Sequence, residues 1–270
     1  MNSSLSSPLA IVRDVPDSFP RCVTSVPPDP ALDVDLARQQ HAGYVAALTA
    51  GGYRIEVVGQ DRAHPDSVFI EDAAVVVGGA AVVCRSGEPS RRGEASPVAE
   101  VLAQYLALSH LPESATLDGG DVLQVGGKVY VGRSSRTNDA GIAAIAGIAG
   151  VPVEPVPVEG VLHLKSAVTA LDDRTLLAHP GFVDPTAFTG LRVIAVGGDD
   201  PEAANVVRLA DGRVLVGASH ENTAATIEAA GFGVLTCDVS EFRRADGGLT
   251  CLSIRVRDGL SPAASYPSAP

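Results

Sequence analysis

Five side chains that could take part in chemistry recur along the sequence at nearly constant intervals. They are Asp72, Asp118, His163, Asn205 and Cys251, and successive members lie roughly 45 residues apart. Each lies at or just before the first of two short apolar runs, so each has the same place in a repeated unit. A thiol can act as a nucleophile, a histidine can carry protons, and a carboxylate can orient that histidine. The spacing therefore predicts that the five side chains face one another at one centre.

The elements that must position these residues form a unit of hairpin, helix and further strand. Paired turn residues between the apolar runs favour tight hairpin turns, whose central residues take positive φ. Such pairs occur at Gly78-Gly79, Gly126-Gly127, Asp172-Asp173 and Asp211-Gly212. We expect a fifth hairpin to form from the N-terminal run Leu9–Arg13 and the C-terminal run at residues 251–256.

Five such units predict an α/β architecture with approximate fivefold symmetry. Each unit alone has too small a core, so neighbouring units must pack side by side. Pairing of the N- and C-terminal strands would close the units into a ring and would remove an exposed sheet edge. The alternative is an open α+β sheet.

Composition limits the classes of function. The 270 residues carry a formal net charge of −12 and the pI is near 4.8, so we expect no surface for nucleic acid or anionic membranes. The hydrophobic content of 46% predicts one globular domain over residues 1–270, with disordered tails at residues 1–8 and 259–270. The four cysteines form no CxxC pair and the N-terminal residues do not resemble a signal peptide, which favours a cytoplasmic protein.

Two acidic residues stand in an apolar context. Glu71 and Asp72 are flanked by Val68, Phe69 and Ile70 on one side and by residues 73–77 on the other, so they are expected to be buried. A buried carboxylate needs a cation or hydrogen-bond donors to remain ionised. The sequence offers few obvious basic partners there, so a cationic ligand is a candidate. A guanidinium would suit, because its planar donors pair with carboxylates in a two-pronged manner.

Cys251 differs from the other cysteines in its context. Cys84 and Cys237 lie in β-rich runs and are interpreted as small buried apolar side chains. Cys251 follows Gly247 and Gly248, which would bring the backbone close to a bound ligand. A lone histidine is more often structural than catalytic, so His163 is a candidate only together with its neighbours.

Six runs resemble the dimethylarginine dimethylaminohydrolase family of the guanidine-modifying superfamily. They are residues 66–72 (DSVFIED), 89–92 (PSRR), 117–121 (LDGGD), 131–138 (VGRSSRTN), 162–166 (LHLKS) and 246–253 (DGGLTCLS). The resemblance extends from about Ala10 to Val256. It implies a pentein-type fold, which is a five-unit pseudo-symmetric α/β propeller.

The resemblance also implies catalytic roles. Cys251 corresponds to the nucleophile that attacks the guanidinium carbon, and His163 to the acid that protonates the departing amine and then activates water. Asp118 corresponds to the carboxylate of the triad, where some relatives have Glu. Asp72, with Asp66 and Glu71, corresponds to the residues that hold the guanidinium and its surroundings.

Further residues match positions that contact the other end of the substrate. Arg91 and Arg136 correspond to the arginines that clamp the α-carboxylate. Ala245 matches the position whose backbone carbonyl receives the α-ammonium. Phe19 falls where relatives have a Leu that contacts the substrate from an N-terminal lid.

The implied activity is hydrolysis of N-omega-methylated arginines to citrulline and methylamines through an S-alkylthiouronium intermediate on Cys251. No metal or organic cofactor is expected, and Zn²⁺ bound between Cys251 and His163 would be an inhibitor. The partner would be a small-molecule methylated arginine, and a homodimer is compatible with the sequence. The alternatives are another guanidine-modifying enzyme, namely an arginine or agmatine deiminase or an amidinotransferase, and a non-catalytic propeller-like interaction protein.

Overall fold

The computed structural model describes residues 8–198 and 200–256. In chain order the strands there are β1 (Leu9–Arg13), β2 (Arg54–Val58), β3 (Ala74–Val77), β4 (Ala80–Val83), β5 (Ala107–His110), β6 (Val122–Val125), β7 (Lys128–Arg133), β8 (Val153–Pro157), β9 (Val168–Ala170), β10 (Thr175–Ala178), β11 (Arg192–Ala195), β12 (Val207–Arg208), β13 (Val214–Gly217), β14 (Val234–Cys237) and β15 (Ile254–Val256). The helices are α1 (Val34–Ala50), α2 (Ala95–Leu102), α3 (Asp139–Ala149), α4 (Leu164–Ala167), α5 (Glu221–Ala229) and α6 (Ser240–Arg243). The predicted α/β class is confirmed.

The described strands form five sheets of three strands each, in the orders β15-β1-β2, β3-β4-β5, β6-β7-β8, β11-β10-β9 and β12-β13-β14. In every sheet the central strand pairs antiparallel with one neighbour and parallel with the other. The two ends of the chain meet in the first sheet, where Ile11 pairs with Ile254. Five separate small sheets replace the single open sheet that was the alternative.

Two of the four predicted tight turns form as expected. Gly78 and Gly79, like Gly126 and Gly127, have positive φ and join their strands directly. The predictions at Asp172-Asp173 and Asp211-Gly212 were too tight, because the chain closes there through wider loops. In the latter the Leu209 N–H donates to the Arg213 carbonyl.

A short helical turn precedes the first strand of each hairpin. The five turns are Ile70–Ala73, Gly119–Asp121, α4, Pro201–Ala204 and Thr250–Leu252. The first contacts the second and the fifth, and α4 contacts the second and the fourth. These turns, or the residues beside them, carry the five side chains singled out by their spacing, so the repeat places them at equivalent points of neighbouring units.

Apolar residues fill five clusters between the sheets and the helices. The described part of the chain contains no helix long and apolar enough to cross a membrane. Most of the predicted tails lie outside the described residues. Pro8 is an exception to the expected N-terminal tail, because its carbonyl accepts a hydrogen bond from the Arg54 N–H at 2.9 Å.

Candidate active site

His163 lies between two buried carboxylates. Its Nε2 atom is 3.2 Å from Oδ2 of Asp118, and its Nδ1 atom is 4.0 Å from Oδ1 of Asp72. All three side chains are buried. His163 directly precedes α4, Asp118 directly precedes Gly119–Asp121, and Asp72 lies in Ile70–Ala73. Three of the five recurring side chains therefore meet.

The carboxylates determine the charge of His163. Burial by itself disfavours the imidazolium, but the charge of Asp72 and the hydrogen bond with Asp118 raise the pKa of His163 to about 9. Burial likewise disfavours the Asp72 carboxylate, yet His163 and Arg91 hold the pKa of Asp72 below its usual value. At neutral pH the His163 ring is protonated and can act as an acid.

Gly120 makes this close arrangement possible. A Cβ atom at this position would lie 2.6 Å from Nδ1 of His163 and 3.0 Å from Oδ1 of Asp72. The Gly120 N–H also donates to the same Asp72 oxygen at 2.9 Å. Gly120 of LDGGD is thus needed for the packing of the site.

Cys251 lies half-buried in the turn Thr250–Leu252, which contacts Ile70–Ala73. Burial and the negative charges of Glu71 and Asp72 raise the pKa of the Cys251 thiol well above its usual value. The thiol of the free protein is therefore protonated, and a positive charge bound beside it would favour the thiolate.

Asn205 fixes the turn that carries Cys251. Its side-chain NH₂ donates to the Lys165 carbonyl at 2.9 Å and to the Thr250 hydroxyl at 3.1 Å. Its Oδ1 accepts the Thr250 N–H at 3.0 Å. A Cβ atom at Gly248 would lie 2.6 Å from the Asn205 side chain. The glycine there makes room for this amide, whereas the sequence had suggested close approach of backbone to a ligand.

Glu71 has basic partners that the sequence did not reveal. Its Oε1 lies 2.6 Å from Nζ of Lys165 and 3.5 Å from Nη2 of Arg255. Its Oε2 is buried and has no hydrogen-bond partner among the described residues. The expectation that this acidic pair lacks protein cations was wrong, because the partners come from distant parts of the chain. One oxygen nevertheless remains for a ligand.

Arg91 differs from the expected carboxylate clamp in this structure. Its guanidinium is buried and donates through Nη1 to Asp72 at 2.8 Å and through Nε and Nη2 to Glu94 at 3.1 and 2.9 Å. Nη2 also donates to the Phe69 carbonyl. Arg91 therefore binds the protein's own carboxylates, through Nη1 to Asp72 and through Nε and Nη2 to Glu94.

The side chain of Arg136 is less engaged in hydrogen bonds than that of Arg91. Its backbone N–H donates to the Ser134 hydroxyl at 3.0 Å. Its side-chain Nη1 is buried but has no hydrogen-bond partner within the described residues. A buried donor without an acceptor is unfavourable, so this atom is a candidate for binding an anionic group.

The three remaining predicted residues are Phe19, Asp66 and Ala245. Phe19 is completely buried, with its ring centroid 6.1 Å from that of Phe69 and 5.5 Å from that of Phe242. Phe19 therefore packs with two other aromatic rings, and its contact with the substrate stays a prediction. Asp66 accepts the Val23 N–H at 3.0 Å.

Ala245 is also buried. It follows α6, and its N–H donates to the Phe242 carbonyl at 3.0 Å. This places Ala245 beside the aromatic packing and six residues before the thiol in the chain.

Comparison with known proteins identifies the family of this chain. The family described as N,N dimethylarginine dimethylhydrolase, eukaryotic, matches residues 31–169. The N(G),N(G)-dimethylarginine dimethylaminohydrolase of Streptomyces coelicolor is 41% identical over 232 residues, which cover 84% of this chain and 88% of that protein. The chain belongs to the dimethylarginine dimethylaminohydrolase family.

A second dimethylarginine dimethylaminohydrolase, from Pseudomonas aeruginosa, is 32% identical over 83% of this chain and 89% of its own length. A solved structure of the Pseudomonas aeruginosa protein, a cysteine-to-serine variant complexed with citrulline, matches with a TM-score of 0.87 and 31% identity. The match covers 92% of this chain and 99% of that one. The family resemblance read from the six runs is confirmed.

In this member of the dimethylarginine dimethylaminohydrolase family, sequence reasoning missed three residues around the site. Glu94 holds Arg91 through two nitrogens, and burial raises the pKa of Glu94 to about 7 although Arg91 opposes this. Lys165 binds Glu71, and Asp121 is a fully buried acceptor. Glu94 follows Arg91 by three residues and Asp121 ends LDGGD, so both had a local signal. Lys165 had one only as a neighbour of His163.

One group in the described residues of this family member has the spacing of a metal site. Ligand atoms of Asp72, Asp118 and His163 lie within 4.8 Å of one another. Both Asp72 oxygens, however, already accept hydrogen bonds from Gly120 and Arg91. The three side chains fit a protonated imidazole held by two carboxylates. Cys251, which was named together with His163 as a pair that could bind Zn²⁺, is not part of this group.

Proposed function

We propose that this chain hydrolyses N-omega-methylated arginines to citrulline and methylamines, with Cys251 as the nucleophile. The observation that carries the proposal is the charge arrangement around the thiol. A protonated His163 and a half-buried Cys251 adjoin buried carboxylates, and one of these, Glu71, has an oxygen without a partner. A planar cation is the ligand that such a site would favour. The family membership and the citrulline complex of the Pseudomonas aeruginosa relative support the same substrate class.

The guanidinium would bind with its carbon next to the thiol. Glu71 Oε2 would accept one of its N–H groups, and Asp72 would supply a second negative charge. Asp66 is buried nearby and contributes a carboxyl group that interacts with Arg91. Burial raises the pKa of Asp66, and the charge of Arg91 opposes this rise. The cation would offset the charges that hold Cys251 protonated, so its binding would lower the pKa of the thiol and release that proton to water.

Covalent catalysis then proceeds in two halves. The thiolate adds to the guanidinium carbon, His163 gives its proton to the methylamine nitrogen, and the carbon–nitrogen bond breaks. An S-alkylthiouronium cation remains on Cys251 and His163 is neutral. Water attacks the same carbon while His163 takes one of its protons, and the carbon–sulfur bond then breaks as the second proton passes to solvent, which releases neutral citrulline and the thiolate. Asp118 keeps the ring oriented and favours its charged form throughout.

The opposite end of the substrate would be held by Arg136, whose buried Nη1 lacks a partner. Arg91 would join this clamp while its guanidinium also binds Asp72 and Glu94. The carbonyl of Ala245 would receive the α-ammonium, and Phe19 would shape the site through Phe69 and Phe242. These roles follow from the family resemblance, and the free Nη1 of Arg136 is their best structural support.

We infer that the five units close into one propeller ring and form a single catalytic domain. The pairing of β1 with β15 and the contacts between the short turns support closure. The Asn205–Thr250 hydrogen bonds join the fourth turn to the fifth. The four cysteines are all free, which suits the reducing cytoplasm.

The test is a product assay with purified protein. Dimethylarginine, monomethylarginine, arginine and agmatine are supplied separately, and citrulline and free methylamines are quantified. We expect turnover of the methylated arginines, and loss of turnover in Cys251→Ser, because a hydroxyl is a far weaker nucleophile than a thiolate. Cys84→Ser is the matched control, since the buried Cys84 lies outside the proposed chemistry. Equal turnover by Cys251→Ser and wild type would refute the mechanism.

A further inference from the structure

Asp121 is a completely buried carboxylate that the reaction scheme does not use. It ends the turn Gly119–Asp121, three residues after Asp118. Its two oxygens bind two different segments of the chain. Within the described residues it accepts three hydrogen bonds from groups that adjoin proposed site residues.

The first oxygen holds the backbone at the proposed acid. Oδ1 accepts the N–H of Leu164 at 2.9 Å, and Leu164 directly follows His163. The space for this contact depends on Gly132, where a Cβ atom would lie 2.4 Å from Oδ1. The position of His163 is thereby tied to Asp121.

The second oxygen holds the loop of the proposed substrate clamp. Oδ2 accepts the hydroxyls of Ser134 at 2.6 Å and Thr137 at 2.7 Å. The Ser134 oxygen in turn accepts the N–H groups of Arg136 at 3.0 Å and of Thr137 at 3.2 Å. The Arg136 backbone is thus anchored to the same carboxylate as His163.

The Thr137 hydroxyl adds a third link. Its oxygen accepts the N–H of Asp118 at 3.3 Å while it donates to Asp121. One carboxylate therefore connects the segments of Asp118, His163 and Arg136.

We propose that Asp121 is a positioning residue that couples the acid His163 to the substrate clamp Arg136 through a single shared carboxylate. The inference rests on the proposed function, because it assumes the roles of these two residues. A carboxylate is required because all three partners donate. In an amide only the oxygen accepts, and the NH₂ group would face either the Leu164 N–H or the Ser134 and Thr137 hydroxyls, whose oxygens already accept backbone N–H groups.

The charge of Asp121 supports this role. It lies close enough to His163 to favour the imidazolium and so contributes to the raised pKa of that ring. Neutralising Asp121 would therefore alter the titration of His163 as well as its position. A merely structural residue would not move that titration.

The experiment compares Asp121→Asn with Asp61→Asn. Asp61 also accepts three hydrogen bonds, from Arg13, Ala63 and His64, but lies outside the proposed machinery. For Asp121→Asn we expect kcat on dimethylarginine to fall about tenfold or more, KM to rise, and the His163 pKa measured by NMR to fall. Asp61→Asn should lower thermal stability while kcat and the His163 titration stay close to wild type.

Ser134→Ala is a second test that is independent of whether Asp121→Asn folds. It removes one anchor of the Arg136 loop and keeps the charge of Asp121. We expect KM for dimethylarginine to rise, with kcat within about threefold of wild type and the His163 titration unchanged.

The proposal is overturned if Asp121→Asn leaves kcat, KM and the His163 titration unaltered, or if Ser134→Ala leaves KM unaltered. It is also overturned if Asp61→Asn reproduces every change. If the wild-type protein does not turn over methylated arginines, the proposed function fails, whereas the His163 titration in Asp121→Asn still decides whether Asp121 acts on that ring.

Discussion

Oε1 of Glu71 lies 2.6 Å from Nζ of Lys165, which is 94 residues away in the chain, while Oε2 of Glu71 is buried without a partner. The lysine holds the carboxylate in place through one oxygen and leaves the other for a ligand. Burial raises the pKa of the Cys251 thiol, and the charge of this carboxylate raises it further. Under the proposed mechanism, Glu71 would bind the substrate cation and would keep the thiol protonated until that cation binds.

The first prediction concerns the thiol. Glu71→Gln removes a negative charge beside Cys251, so the pKa of the thiol should fall. We expect alkylation of Cys251 by iodoacetamide, followed by mass spectrometry across pH, to have a lower midpoint than in wild type. Glu241→Gln is the matched control, because it changes a buried glutamate that binds the Asp33 N–H. An unchanged or higher midpoint in Glu71→Gln would contradict the assignment.

The second prediction concerns Asp118. Asp118→Asn removes a charge that raises the pKa of His163, so the pKa of that ring should fall from about 9. Because His163 must be protonated to release the amine, the alkaline limb of kcat should move to lower pH. The transition state should also lose on the order of 2–5 kcal/mol, the scale for breaking a buried charge pair. A full pH–rate profile with dimethylarginine checks both effects, and wild-type kcat/KM with an unmoved limb would place the catalytic carboxylate elsewhere.

The third prediction concerns substrate choice. Agmatine keeps the guanidinium but lacks the α-carboxylate, so it leaves the Arg136 donor unmatched. We expect kcat/KM for agmatine to be about a hundredfold or more below that for methylarginine. Arg136→Ala should narrow this gap by harming methylarginine far more than agmatine.

Arg133→Ala is the control for this comparison, because Arg133 is exposed, binds Asp139 and lies three residues earlier. It should leave the ratio of the two substrates unchanged. Comparable kcat/KM for agmatine and methylarginine in the wild-type protein would mean that the clamp is misassigned and would favour an agmatine deiminase.

The fourth prediction concerns Asn205, which bonds to both the N–H and the hydroxyl of Thr250. Asn205→Ala should free the turn that carries Cys251 and lower kcat by about tenfold or more, with a slower alkylation of the thiol at fixed pH. Thr169→Val is the control, since the Thr169 hydroxyl binds Ala204 on the same segment without touching the Cys251 turn. If both variants lose stability but keep kcat, Asn205 is structural only.

The sequence by itself determined the repeated unit and the family. Apolar alternation and glycines with positive φ are local requirements, so the turns at Gly78-Gly79 and Gly126-Gly127 could be predicted from their own residues. The wider loops near Asp172 and Asp211 could not, because neither acidic residue forces a two-residue turn. The near-constant spacing also indicated that Asp72, Asp118 and His163 would meet, since equivalent places in packed units are neighbours.

Only the tertiary structure decided which charges pair. Glu71 finds Lys165 and Arg255, and Arg91 binds Asp72 and Glu94 instead of presenting a free guanidinium. No local pattern contains these pairings, because they depend on how the units pack and on which buried charge lies within reach of another. The same holds for Phe19, whose aromatic character was visible but whose burial against Phe69 and Phe242 requires three distant segments to meet. Local geometry is encoded residue by residue, whereas buried electrostatics is settled only when the whole chain has excluded water.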